Sequence, residues 1–439
     1  MDFASAVSTS DPHRPLPFGR YHLNFCNMSL ESSRALGNVL RKISSEKCLA
    51  LKIFHNVMPE DLVHTRNCSL LRNVWKSFVH LEELEYVIRF YEGFDPENVN
   101  MLELLQRSEG LKTVRVSLLS DLDRENQWPL ISRMLTAITN PSNNFTRLST
   151  LEIDYAFLME EHLKMLTDWK QPLESLVLGT FDLKPRQKYP FPGKALQVLL
   201  KTRSETLKNL RLKVDIESSW EQVWRERLGF LYADDQALAP DANSTTQTFT
   251  FPVMKNLQGL DLEIKGEDST NCNRAWKLNE NSFPQDFPKL KKFRLIQSQY
   301  SASKRINISP AFLPSLKAPS TTVEEVCLPD SRVDWDFVLM HHMLRLFPCV
   351  RVFEMKYERR TVHTVFSSLP TLEKLILHLG KDPVPLDPVL TGVPDLPPRL
   401  SRQEALVYDV EARRTASDIT MLKSKSESMF LDLISKVFH

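Results

Sequence analysis

One short pattern returns through most of the chain and fixes what it can fold into. In Leu173–Gly179 (LESLVLG) apolar residues stand at the first, fourth and sixth places. The same spacing begins at Cys48, Leu81, Leu111, Leu148, Leu173, Leu207, Leu257, Leu290, Val323, Val350 and Leu372. A degenerate copy, FGRYHL, begins at Phe18. In an extended segment alternate side chains point to opposite faces. The fourth and sixth residues, Leu176 and Leu178, therefore turn inward together. Ser175, Val177 and Gly179 turn outward. A strand this short buries little alone, whereas copies laid side by side build one continuous core.

The copies lie 22 to 50 residues apart, which leaves room for a helix or loop to return between strands. Helical spacing is visible in several of these returns. Ser29–Lys47 carries Leu36, Val39, Leu40 and Ile43, and Ser69–His80 carries Leu71, Val74, Trp75 and Phe78. Leu130–Ile138 and Trp335–Phe347 show the same period. Strands on one side and helices on the other predict an α/β arc.

This grammar resembles that of the leucine-rich-repeat family, over about Phe18 to Leu379. The resemblance implies an irregular α/β leucine-rich-repeat solenoid, a horseshoe with a concave strand face. The family places Asn or Cys three residues beyond the third apolar position. Asn56 fits, as does Cys26 in the degenerate copy, while the other copies depart from it, with residues such as Arg89, Phe181 and Lys265. An irregular internal ladder is expected.

The domain plan follows from where the pattern stops. Residues 1–15 are small, polar and Pro-punctuated and are expected to be disordered. The solenoid spans 16–379 and holds an insertion at 219–256. That insertion reads as a long helix over Ser219–Leu238, then a polar loop with strand-like alternation at Thr248–Phe251. Residues 380–400 hold six prolines, including Pro383, Pro385 and Pro388, and read as an extended linker. Residues 401–439 are expected to form a helical cap, since Met429, Phe430, Leu433, Ile434, Val437 and Phe438 make an apolar stripe and a solenoid needs its last layer covered.

Charge narrows the function. Lys and Arg total 56 against 55 Asp and Glu, a net of +1, which argues against a chain-wide nucleic-acid or membrane footprint. No run approaches the 18 apolar residues of a membrane span. No glycine-rich phosphate cradle occurs. The first residues lack an apolar signal core, and the six cysteines contain no CxxC pair. A reduced chain in the cytoplasm or nucleus is the expectation.

Catalytic groups do not converge. His341 and His342 point about 100° apart on their expected helix, a poor shared ligand set. Asp234 and Asp235 lie in the insertion with no partner base. Cys327 falls on an outward strand place and is expected to be inert. The expectation is a non-enzymatic protein without cofactor or metal.

What remains is the outward row at the fifth and seventh places of each strand. It includes Lys52, Glu85, Arg115, Glu152, Asp154, Arg211, Lys213, Asp261, Glu263, Arg294, Glu354 and Lys356. Strands stack in sequence order, so neighbours in this row are neighbours in space. Arg211 and Lys213 are expected beside Asp261 and Glu263, with Arg294 next. The row can serve as a strip that recognises a protein partner, as in a substrate-recognition subunit. It can also merely solvate the sheet through cross-strand pairs.

The irregular repeats are also similar to the repeat domains of F-box proteins, the substrate receptors of cullin–RING ubiquitin ligases. Ile53, Phe54, Pro59, Glu60, Asp61, Leu62, Cys68 and Trp75 echo the later half of the F-box, without its leading LPxE. That resemblance implies an alternative, an F-box-type ligase adaptor with a degenerate box.

Overall fold

In the computed structural model the described residues are 20–25, 48–57, 78, 80–90, 102, 104–105, 108, 110–120, 127–140, 145–182, 192–215, 249–265, 276–277, 282–298, 317–328, 337–356, 365, 368–378 and 406–408. The chain divides into two compact units. The first comprises Met1–Asp182 with Lys194–Leu212, and the second Leu183–Gly193 with Lys213–His439. The protein is α/β, built on parallel strands with few helices.

In the first unit the strands follow one another in chain order. They are β1 (Arg20–Phe25), β2 (Ala50–Val57), β3 (Glu83–Phe90), β4 (Thr113–Ser120), β5 (Thr150–Asp154), β6 (Ser175–Asp182) and β7 (Asn209–Asp215). From β1 to β6 each pairs in parallel with the next. The division between units falls within β7, after Leu212. Among the described residues, helices α1 (Trp128–Thr139), α2 (Glu160–Asp168) and α3 (Gly193–Arg203) return between strands. The expected helix at Leu130–Ile138 thus lies within α1, and Leu130, Ile131, Met134, Leu135 and Ile138 are all buried.

The second unit holds β9 (Gly259–Lys265), β11 (Lys292–Ser298), β12 (Glu325–Leu328), β13 (Val352–Lys356), β14 (Lys374–His378) and β15 (Leu406–Tyr408), parallel and adjacent in that order. A separate parallel pair joins β8 (Phe249–Thr250) to β10 (Trp276–Lys277). Its first strand falls where alternation was expected at Thr248–Phe251. Two helices are described here, α4 (Ser282–Asp286) and α5 (Phe337–Leu346).

The repeat accounts for this order. The first-place residues from Cys48 to Leu372 are all buried, and so are the fourth- and sixth-place pairs from Leu51 and Ile53 to Phe353 and Met355. A lone apolar strand face would stay in water; stacked in register, each covers the next and loses roughly 25 cal/mol of unfavourable hydration per Å². The degenerate copy obeys the same register, since Tyr21 pairs with Leu51 and Leu23 with Ile53.

Two regularities of the structure extend the pattern. The amides of the second and third residues of a copy both donate to the second-place carbonyl of the copy before. Lys112 and Thr113 do so to Glu82, Glu174 and Ser175 to Ser149, and Arg351 and Val352 to Glu324. The backbone groups at each strand start are thereby satisfied without side chains. The second regularity lies three residues ahead of the first-place residue. Phe78, Ser108, Phe145, Met254, Phe287, Ser320, Phe347 and Leu369 stand there and are buried. A turn follows: Leu148 N–H donates to Phe145 C=O at 3.3 Å and Leu290 N–H to Phe287 C=O at 3.1 Å. The repeat is therefore longer than its first six places.

Three expectations are corrected. Leu406–Tyr408, inside the expected helical cap at 401–439, is a strand that pairs with β14. Parallel pairing gives the open edge of β14 backbone partners that a helix could not. The stripe Met429–Phe438, the prolines of 380–400, residues 1–15 and the helix at Ser219–Leu238 lie outside the described residues. Gly179, placed outward, is buried, because the chain leaving β5 runs across it. A Cβ there would stand 2.7 Å from both Ala156 N and Ile153 O, so no larger residue fits without moving backbone. Cys327 is also buried on its outward place. It lies in register between Arg294 and Glu354.

Candidate protein-binding face

Eight residues of the outward row form cross-strand ion pairs. Register places Lys52 opposite Glu85 and Arg115 opposite Glu152. Lys52 Nζ lies 2.5 Å from Glu85 Oε1, and Arg115 Nε donates to Glu152 Oε1 at 2.9 Å. In the second unit Arg294 Nη1 stands 3.9 Å from Asp261 Oδ2, again in register. Lys213 Nζ lies 3.3 Å from Glu263 Oε2. The expected neighbours Arg294 and Asp261 are thus brought together, and so are Lys213 and Glu263.

Burial separates these pairs. The Arg115 and Glu152 side chains are 39% and 29% exposed, whereas those of Lys213 and Glu263 are 5% and 12% exposed. Lys213 was expected to present its charge to a partner, and this is corrected: its ammonium is withdrawn from water and compensated by the Glu263 carboxylate. An unpaired charge at that depth would be strongly unfavourable. Arg211, on β7, is half-buried.

Asp154 ends β5, where its Oδ1 accepts the Tyr155 N–H at 2.8 Å. Tyr155 has φ 55, in the left-handed region, and its ring is exposed. Glu354 lies in register with Cys327, and Lys356 with His378. The side chains of Lys356 and His378 lie outside the described residues. Burial, the Glu354 and Glu325 carboxylates all push the Cys327 thiol up, and burial pushes Cys48 up to about 12. Both sulfurs stay protonated and unreactive at neutral pH.

Further pairs occupy places the expected strip left out. At the second place Lys112 bonds Glu82 at 2.7 Å, Lys208 bonds Glu174 at 2.8 Å, and Arg351 bonds Glu373 at 2.7 Å. At the third place Lys292 bonds Glu325 at 2.7 Å. Arg20 reaches Glu83 at 2.9 Å across the small Ala50 that lies between them in register. Opposite charges at one place of successive copies are the signal that finds all of these except Arg20–Glu83, which skips a copy.

Other polar groups are structural. His162 Nε2 lies 3.0 Å from Ser132 Oγ, a spacing that invites a nucleophile–base reading. The ring's Nδ1, however, accepts the Met159 N–H at 3.1 Å. The proton therefore sits on Nε2, which donates to the serine and cannot take its proton. His341 is exposed on α5 and His342 half-buried, while Asp234, Asp235, Asp334 and Asp336 lie outside the described residues. Among the described residues no group of three or more His, Cys, Asp or Glu could hold a metal. No described helix is long and apolar enough to cross a membrane. Ile53 and Phe54, which open the F-box echo, lie in β2, with Ile53 in the sheet core. Pro59 to Trp75 lie outside the described residues. Neither protein-family models nor curated proteins gave a match to the chain.

Proposed function

We propose that this chain is a leucine-rich-repeat protein that binds a protein partner on the face opposite its buried leucines. It does so without catalysis, as a substrate-recognition subunit inside the cell, in the cytoplasm or nucleus. One observation carries the reading: charged side chains occupy fixed places of successive strands in register, so they form a lattice. Along a row the places repeat at about 4.8 Å, and along a strand at about 6.7 Å. A partner segment laid on such a lattice meets a definite sequence of charges. Because the row is paired within itself, it supplies pattern and orientation rather than net attraction.

The test exchanges the members of one half-exposed pair. In the double variant Arg115→Glu with Glu152→Arg the internal pair survives while the pattern met by a partner is inverted. Proteins captured by the wild type and identified by mass spectrometry are then measured against the swap. The expected result is unfolding free energy within about 0.5 kcal/mol of wild type and at least tenfold weaker capture. Equal capture of every partner by the swapped protein would refute the reading for this face.

A further inference from the structure

α2 is held at both ends by polar side chains. At its C-terminal end Arg203, in the last turn of α3, donates to three carbonyls. Nη1 reaches Gln171 C=O at 2.6 Å, and Nη2 reaches Leu166 C=O at 2.9 Å and Trp169 C=O. These carbonyls have no partner within the helix, and a guanidinium there also suits the helix dipole.

At the N-terminal end the pin is His162, the third residue of α2 and 1% exposed. Its Nδ1 accepts from the Met159 backbone, as the third residue of a capping box does. Its Nε2–H reaches Ser132 Oγ on α1. The first bond requires the neutral ring, whereas the Nε2–H donor to Ser132 survives protonation and only a charge left buried beside it is new. A protonated imidazole carries N–H on both nitrogens, so Nδ1–H would face the Met159 N–H, donor against donor.

We propose that His162 is an acid-released pin: protonation undocks the first turn of α2 from α1, while Arg203 keeps the far end in place and Gln127 Oε1 still accepts the Phe157 N–H. Among the described residues the charged surroundings are few. α2 itself offers Glu161, and Glu160, which is bridged to Lys164 at 2.7 Å. α1 offers the uncharged Ser132 and, beside it, the exposed Arg133. Burial lowers the ring's affinity for a proton and Glu161 raises it, with burial the larger effect. The folded value thus lies below the ordinary 6.5. The sign follows. Above pH 6.5 the ring is neutral docked or undocked, and the pin holds in full. As pH falls below 6.5 the undocked ring takes a proton that the docked ring refuses, so docking weakens until the folded value is reached.

The experiment is amide hydrogen exchange on the full chain between pH 7.5 and 5.0, normalised for the intrinsic pH dependence of exchange. Protection of the first turn of α2 is expected to fall up to about tenfold per pH unit below 6.5, with the amides of Leu176 and Leu178 unchanged. His162→Gln stays neutral and can still accept the Met159 N–H, so it should abolish the dependence. A pH-independent α2 in the wild type overturns the proposal, as does a dependence that survives in His162→Gln. Should that variant fail to fold, NMR titration of the His162 ring in the wild type decides: a midpoint at or above 6.5 overturns the proposal.

Discussion

The two units use one repeat and fill it differently. The first is closed by aliphatic side chains: Leu130, Ile131, Leu135, Leu163, Leu166, Leu196, Leu199 and Leu200 come from its helices onto the strand leucines. The second is closed by phenylalanine. Phe283 lies edge-on to Phe293 at 5.1 Å and to Phe347 at 4.8 Å, and Phe251 lies edge-on to Phe287 at 5.3 Å. In α4, which has 5 residues, Phe283 fills volume with favourable edge-to-face geometry, while the 10-residue α5 adds Met340, Met343 and Leu344. Half-exposed ion pairs occur in both units, at Arg115–Glu152 and at Lys292–Glu325, and the second unit adds a buried one at Lys213–Glu263. The repeat thus dictates which places are inside and leaves open what occupies them.

Three measurements would break or sharpen this contrast. The largest effect is expected from Leu176→Asp, which sets a carboxylate in the aliphatic core of the first unit with no partner. A loss of about 5 kcal/mol or more is expected in urea unfolding followed by circular dichroism. An unchanged transition would mean that the leucine places do not hold that unit together. Next comes Phe283→Ala, which removes the ring at the centre of the second unit's cluster. It should cost about 3–5 kcal/mol, with Phe283→Leu recovering part of it. A loss below 1 kcal/mol would show that the ring contacts contribute little. The smallest comparison sets Lys213→Met against Arg115→Met. The first leaves the Glu263 carboxylate buried and should cost about 2–3 kcal/mol. The second removes half of a solvent-screened pair and should cost under about 1 kcal/mol. Salt should erase the Arg115 effect and spare that of Lys213. Equal costs in low and high salt for both would dissolve the distinction.

Strand places were legible because they are a matter of period: Leu176 and Leu178 can share a face only in an extended segment. The helix at Trp128–Thr139 was legible for the same reason. The anchor three places ahead of the strand was missed because its identity varies. Phe145, Met254 and Ser320 share no property except being turned in by the turn that follows. The charge row was legible as a set of places, but its depth was not. Nothing local to Lys213 distinguishes it from Arg115, since burial depends on what covers a residue from elsewhere in the fold. Cys327 and Gly179 were misplaced for a related reason. Each points outward and each is buried, Gly179 by the chain leaving β5. The strand at Leu406–Tyr408 stands apart from the eleven copies, and only pairing with β14 brings it into the sheet.

The doubly accepting second-place carbonyl has a consequence for how such a protein can change. At the step from Glu82 to Lys112, as at the step from Arg351 to Glu373, a copy grips the one before it through paired main-chain bonds as well as through its side chains. The first step spans 30 residues of sequence and the second 22, yet each advances the sheet by one strand. Insertions and deletions in the returns are therefore absorbed before they reach the sheet. Two descendants of this chain could differ greatly in length and still present the same spacing of side chains to whatever lies against them, while a single substitution at a fifth place would rewrite it.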